Sequence, residues 1–430
     1  MDDKPTKRSL AMTDPKPTFL SFEAALAALE EDASTFVGSE TRPLHSARQR
    51  ILAADIIAPF DVPGYDNSAM DGYAIQYQDL GQFSEFELIG TALAGHPFTG
   101  TWQPGSCIRI MTGAPVPEGF DTIVMQEQAV AEQIEDKTHI HFTTAPKPQQ
   151  NLRKRGEDIA ANTALFAHGH RLTATDIGLL ASIGVGSVSV FQPLKVAVLS
   201  TGDELCEPGN DKQASEIYDT NRYTTRAMLE NLAFEVLDFG IVPDCPDALS
   251  STFNQALAQA DVVVSSGGVS VGDADHTKTV LDELGNMQFW KVAIKPGKPF
   301  AYGHFHTCNQ QGHHKRFFGL PGNPVSSVVT LHQLALPALR KLAGEQVTPA
   351  LSQRLPLASP ISKRPGRLEF IRASLEHSPS GTRVKPLQGQ GSGILSTFAA
   401  SSGYLLLDAD GANWQENELV TYVPFDWALS

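Results

Sequence analysis

DVVVSSGGVSVGDADHTK, residues 261–278, and KVAIKPGKPFAYG, residues 291–303, decide how this chain is read. Val262, Val263 and Val264 form a β-branched run too short for a helix, so they read as a strand buried on both faces of a parallel sheet. Gly267 and Gly268 then free the backbone to turn, and amides in such a turn can point at an anion such as a phosphate. Asp273 and Asp275 follow at spacing two, and HTKTVLDEL opens a helix. Lys291, Lys295 and Lys298 surround the Pro296-Gly297 turn. Three cations beside two carboxylates point to an anionic ligand held partly through a metal. A glycine turn alone is common; turn, acids and lysines within about forty residues mark a candidate site.

Composition bounds what surrounds that site. With 33 Lys and Arg against 48 Asp and Glu, the net charge is −15, and 41% of residues are hydrophobic. An acidic globular protein is implied, not a disordered chain or a duplex-binding one, so neither nucleic acid nor a membrane is expected as partner. The acidic balance leaves room for an anionic substrate. Distant charge is screened over roughly 8 Å, whereas one lysine at 4 Å contributes up to about 4 kcal/mol. Cys107, Cys206, Cys245 and Cys308 are far apart without a CxxC, so reduced thiols of a cytoplasmic enzyme are expected rather than disulfides or a zinc ribbon. MDDKPTKRSLAMTDPKPT has no apolar core and reads as a loose tail, and no apolar run approaches the roughly 20 residues that span a bilayer.

Outward from the opening stretch, strand and helix alternate. KVAVLSTGDEL from Lys195 is a buried strand ending in a polar turn; a helix from Asn221, a strand EVLDFG and a helix from Asp247 follow. Beyond the glycine turn come a helix near Thr277 to Leu284, strands FWKVAI and RFFGL, and a helix from Pro324 to Lys341. This predicts a doubly wound α/β unit with helices on both faces, whose ligands lie at the carboxyl ends of the strands. The turns at Thr201–Glu204, Val242–Asp244, Ser265–Asp275 and Leu320–Ser327 would converge there. In LPGNPVSS, Pro321 precedes the turn, Asn323 or Ser326 can cap the next helix, and Pro324 suits its first turn, leaving amides facing outward. His304, His306, Cys308, His313 and His314 read as a solvated hairpin tip rather than a metal cluster.

Towards the start, SFEAALAALEEDA predicts a helix capped by Ser21, and SARQRILAADI from Ser46 predicts a second. In DVPGYDNSAMDGYAI, Asn67, Ser68 and Asp71 either cap turns or face a ligand. FELIG, CIRIMTG, TIVMQE and HIHF are short strands of a β-rich unit, with Thr112 of MTGAPVP in a tight turn. NLRKRGEDI, with Asp158, suits a solvated face, and ATDIGLLASIG predicts a helix ended by Gly184. After residue 344, five short strands predict a final β unit, with Arg367, Ser392 and Ser396 in or beside polar segments.

DNSAMDGYA, MTGAPVP, RGEDI, TGDEL, YDTN, SSGGVSVGDADHTK, AIKPGKPFAYG and LPGNPVSS occur in the order and near the spacing of the molybdopterin molybdenumtransferase family, whose relatives include the C-terminal domain of gephyrin. The resemblance runs from about residue 18 to the end; only the N-terminal tail and the histidine-rich hairpin depart from it. It implies a multidomain α/β plus β protein: a tail (1–17), a helical or linker unit (18–56 with 155–190), a β-rich unit (57–154), an α/β molybdopterin-binding unit (191–343) and a β-barrel-like C-terminal unit (344–430). It also implies a cytoplasmic homodimer with an intersubunit, Mg²⁺-dependent site at which adenylated molybdopterin and molybdate give molybdenum cofactor and AMP. Contacts with the adenylyltransferase and with molybdoenzyme maturation factors are implied as well.

The family's functional positions fall on Asp71, Thr112, Asp158, Glu204, Asp244, Asp275, Lys291, Lys295, Pro321 and Pro324. Asp244, Asp275 and Glu204 are expected to hold Mg²⁺ on the pyrophosphate, Lys295 and Lys298 to attract molybdate, and Ser266, Gly267, Gly268 and Val269 to face the pterin phosphate. Ser326, Arg367 and Ser396 complete the expected pocket. Asp71, Thr112 and Asp158 would reach in from a neighbouring subunit. An adenylyltransferase and a non-catalytic gephyrin-like scaffold are the alternatives.

Overall fold

The computed structural model describes residues 19–268, 276–379, 381–426 and 428–429. At its centre is a six-stranded sheet ordered Glu235–Val242, Lys195–Thr201, Val262–Ser266, His314–Leu320, Pro299–Cys308, Gly285–Lys291. The first four strands are parallel, with Val196 opposite Val262 and Val264 opposite Phe318; the last two are antiparallel additions. The expected parallel sheet is thus present over four strands and extended to a mixed one by the other two. The reason lies in the chain itself: Pro299–Cys308 and His314–Leu320 are joined by too few residues for a crossover helix and must run as a hairpin.

The buried valines behave as a two-faced strand requires. Val262 and Val264 join one apolar cluster with Met228, Leu229, Val325 and Leu339, whereas Val263 joins another with Phe253, Val280 and Leu281. Successive side chains point to opposite faces, so helices must cover both. Asn221–Glu230 and the run from Pro324 to Leu342 serve one face; Pro246–Gln259 and His276–Leu284 serve the other. Burying each such valine or phenylalanine contributes about 1.5–3 kcal/mol, so neither face can be left to water.

Before this unit, Phe22–Asp32 is the expected helix, with the Ser21 hydroxyl accepting from the Ala24 amide at 3.1 Å. The helix expected from Ser46 does not form. Leu44–Ser46 is a single 3₁₀ turn, Gln49 takes φ +66°, and Ile51 and Leu52 bridge Arg171 and Val190. The strand Ser39–Pro43 pairs antiparallel with Ser187–Phe191, so this layer is part ribbon as well as part helix. Ala174–Ser182 is helical as expected, with a Thr173–Asp176 capping box and Gly184 at φ +75°.

Residues between 67 and 142 build a second six-stranded sheet, ordered Thr122–Met125, Gly72–Ile75, Ser106–Ile110, Phe86–Ala92, Lys137–Phe142, Ala129–Ile134. A third sheet runs Ile294–Lys295, Leu368–Ser378, Gly403–Leu407, Leu419–Pro424, Gln353–Pro356, with Gly381–Pro386 paired to Leu368–Ser378 and Leu357 bridging Val384. All four cysteines are free, and burial pushes the Cys107 thiol up to about 12. No helix among the described residues is long and apolar enough to cross a membrane.

The histidine-rich segment is the expected hairpin with a solvated tip, His306, Cys308, Gln310, Gln311 and His314 being exposed, but its base and two of its tip residues are docked. Asn309 donates to the Phe36 carbonyl at 2.8 Å and His313 stacks on the Phe36 ring, while Asp32 receives His304 at 2.8 Å, Arg316 at 3.2 Å and the Tyr302 hydroxyl. Buried arginine and a docked backbone fix this segment against the first helix. Among the described residues, no group of three or more His, Cys, Asp or Glu is arranged to hold a metal.

Candidate active site

The turns at the carboxyl ends of the parallel strands meet around Thr201. The Asp244 amide donates to Asp203 Oδ1 at 3.1 Å, which ties the turn after Glu235–Val242 to the TGDE turn. Gly267 at φ +87° and Gly268 at φ +62° follow the strand Val262–Ser266, and the Gly267 amide donates to the Leu320 carbonyl at 3.2 Å. A side chain on Gly267 would collide with the Thr201 carbonyl, and one on Gly268 with Thr277 Oγ1, so both turns need glycine for space as well as for φ. Gly322 packs against Gly267, and Asn221 Nδ2 donates to the Gly322 carbonyl at 2.8 Å. The exposed carboxylates of Glu204 and Asp244 make no hydrogen bond or ion pair among the described residues. Asp275 and Val269 lie outside the described residues.

Beneath these turns runs a buried polar chain. Ser266 Oγ lies 2.8 Å from Ser200 Oγ, which lies 3.1 Å from Asp219 Oδ1. Asp219 also receives the Arg222 amide at 3.1 Å and Arg222 Nε at 3.0 Å. Arg222 reaches Asp238 at 2.5 and 2.7 Å and Glu207 besides. Burial works against the guanidinium, but the hydrogen bonds it donates to Asp238, Glu207 and Asp219 outweigh it and hold its pKa raised.

The third sheet closes on the same turns. Asn323 occupies the N-cap position of Pro324–Thr330 without a side-chain cap, and neither it nor Ser326, which is buried, supplies the expected capping bond. The Val325 amide is not outward-facing but donates to the Ser392 carbonyl at 3.0 Å. The 389–397 loop that carries Ser392 and the exposed Ser396 is held from below by Arg372, 0% exposed, which donates to Thr397 Oγ1 at 2.9 Å and to the Gly389 and Gly391 carbonyls at 3.2 Å. Burial lowers the Arg372 pKa, and no carboxylate faces it among the described residues. Pro321 is buried at the start of the turn, and Pro324 takes the first helical turn. Lys295 pairs with Glu369; Lys298 lies over the Phe19 ring at 5.5 Å; the Lys291 carbonyl accepts from the Leu20 amide at 2.9 Å. Arg367 is half-buried, and its carbonyl accepts from Lys363 Nζ at 3.0 Å.

Asp71 and Thr112 meet on a rim of the second sheet, while Asp158 donates its amide to the Val62 carbonyl at 3.1 Å. Asp71 Oδ1 accepts from both the amide and the hydroxyl of Thr112 at 2.7 Å, and these two bonds, the amide first, hold its carboxyl below the usual range. Asp158 is exposed in a loop pinned by Arg155 to Asp61 at 2.5 Å and by Lys154 to Asp66 at 3.1 Å. Asn67 pairs with Arg153, and Gly113 donates to the Ser68 carbonyl at 2.8 Å, so three segments distant in sequence form one polar edge.

Three family models align with consecutive parts of the chain: the MoeA N-terminal region (domain I and II) over residues 20–184, a probable molybdopterin binding domain over 197–341, and the MoeA C-terminal region (domain IV) over 354–425. The molybdopterin molybdenumtransferase of Haemophilus influenzae is 44% identical over 388 residues, 90% of this chain and 94% of that protein. The chain belongs to the molybdopterin molybdenumtransferase family. Gephyrin of Dictyostelium discoideum is 33% identical over 69% of this chain and 45% of that protein. The solved molybdopterin biosynthesis MoeA protein of Pyrococcus horikoshii OT3 superposes with a TM-score of 0.79 at 27% identity, covering 95% of this chain and all of that one.

Within that family frame, reading by motif missed the residues that support the turns. Asp219 lies in the quoted YDTN, yet nothing local predicts that it is 2% exposed beneath Ser200. Glu369 and Arg372 sit in RLEFIRASL, where alternation marks a strand; charged residues at inward positions were the available signal.

Proposed function

We propose that the chain inserts molybdate into adenylated molybdopterin, releasing AMP and giving molybdenum cofactor. One observation carries this reading: in a member of this family, two unengaged carboxylates and a double-glycine turn meet at one sheet edge. Such an edge suits a diphosphate, because hard oxygen donors suit Mg²⁺ and backbone amides suit phosphate. Glu204 and Asp244, with Asp275, would hold the ion, which when bound neutralises pyrophosphate charge. Gly267 and Gly268 supply close backbone approach, and Lys291 and Lys298 add positive charge. Arg367, Ser396 and the Arg372-held loop border the oxyanion side.

Further parts of the reading are proposals of the same kind. The units are 18–56 with 155–190, 57–154, 191–343 and 344–430, the last wrapped like a barrel through the Leu357–Val384 bridge. Asp71, Thr112 and Asp158 complete the site from a second copy in a cytoplasmic homodimer. The test is AMP release from adenylated molybdopterin with and without Mg²⁺ and molybdate, together with particle mass in solution. AMP release that needs both supports the reading. ATP consumption with pyrophosphate release would instead assign the adenylyltransferase, and a monomeric active particle would remove the second copy.

A further inference from the structure

The polar chain under the glycine turn has a direction. Asp219 is bonded to the Arg222 guanidinium and amide, and a carboxylate so placed has only lone pairs to offer. The Ser200 hydroxyl, 3.1 Å away, must therefore donate to Asp219. Having given its one proton there, Ser200 can only accept from Ser266 at 2.8 Å. Ser266 is then left with lone pairs and no proton to give. Across the Gly267–Gly322 contact, Asn221 repeats this polarity: its Nδ2 donates to the Gly322 carbonyl, which leaves Oδ1, buried and unpartnered among the described residues, as an acceptor.

We propose that Ser266 is a specificity-determining residue that meets the ligand only as a hydrogen-bond acceptor, with Asp219 and Ser200 as the positioning residues that impose this. The turn then divides its work. The glycines give phosphate oxygens close approach to the backbone, and the Ser266 oxygen takes N–H donors on a heterocycle such as the pyrimidinone edge of a pterin. A phosphate oxygen against Ser266 would set lone pair against lone pair. The inference rests on the reading of this edge as the molybdopterin site and replaces the expectation that Ser266 serves the phosphate.

The test measures equilibrium binding of two probes, inorganic pyrophosphate and molybdopterin, to the full chain and to Ser266→Ala, Ser200→Ala and the double variant. Loss of one hydrogen bond predicts that Ser266→Ala weakens molybdopterin roughly three- to tenfold and leaves pyrophosphate unchanged. Ser200→Ala removes the acceptor of the Ser266 proton, which becomes free to donate outward, so pyrophosphate tightens by a similar factor. That gain disappears in the double variant. If Ser266→Ala weakens pyrophosphate as much as molybdopterin, or Ser200→Ala leaves pyrophosphate at its wild-type affinity, the proposal is wrong. Ser266→Cys, which keeps the volume, replaces Ser266→Ala if melting shows that the latter unfolds. Binding is read without turnover, so this pattern without AMP release would overturn the proposed reaction alone. Absence of molybdopterin binding would overturn the pocket assignment, while the pyrophosphate arm still reads the hydroxyl order.

Discussion

Lys295 Nζ stands 3.2 Å from both carboxylate oxygens of Glu369, its cross-strand partner at the edge of the third sheet. The partners are unequal: the lysine side chain is 48% exposed, the glutamate 6%. Lys295→Ala leaves a buried carboxylate without its cation, so a loss of about 1–2 kcal/mol is expected after discounting for the exposed partner. Lys295→Ala with Glu369→Gln should recover part of it. Urea unfolding of the two variants measures this, and equal losses would show that the pair does not couple.

The buried junction of Arg171, Arg340 and Glu345 gives a pH prediction. Arg171 Nη2 and Arg340 Nη2 each reach Glu345 at 2.6 Å. Burial alone would push Glu345 up, but the hydrogen bonds from Arg340 and Arg171 outweigh it and hold its carboxyl low. A depressed carboxyl contributes stability above its unfolded value, and the contribution fades as pH falls through the folded one. Glu345→Gln should cost about 2–4 kcal/mol at neutral pH, with the gap to wild type closing below about pH 4. Urea midpoints from pH 7 to 3 test it; a constant gap would contradict it.

Thr112→Val separates the two bonds that depress Asp71. The hydroxyl is lost and the backbone amide remains, so the Asp71 pKa should rise part of the way towards its ordinary value. Carboxyl-carbon NMR titration reads the shift directly. No change would mean that the amide alone sets the charge.

Gly267→Ala places a methyl group against the Thr201 carbonyl at φ +87°, where neither atom is a mobile side-chain end. Strain of about 1–3 kcal/mol is expected. Pyrophosphate affinity should fall with it, read by calorimetry beside a thermal melt. Unchanged affinity in a folded variant would remove the turn from the site.

How far the sequence could be read depended on the range of the interaction. The Val262–Val264 run, the Ser21 cap and Gly184 are local signals, and each appears where its chemistry requires. SARQRILAADI failed because Ile51 and Leu52 are neighbours on a ribbon whose partners, Arg171 and Val190, lie more than a hundred residues away. Lys295 looked free for a ligand because its partner is 74 residues on. The polar chain below Ser266 escaped for the same reason: Ser200, Asp219 and Ser266 share no local pattern, and only the sheet brings them together.

The 308–314 hairpin, docked on Phe36 and continuous with the Asp32 cluster, has a practical meaning for anyone handling the protein. Its glutamines and histidines invite use as a place to graft an affinity tag or a fluorophore. A graft that replaced Asn309 or His313 would remove the contacts that seat Phe36 on the hairpin, whereas the exposed Gln310–Gln311 pair carries no such contact among the described residues.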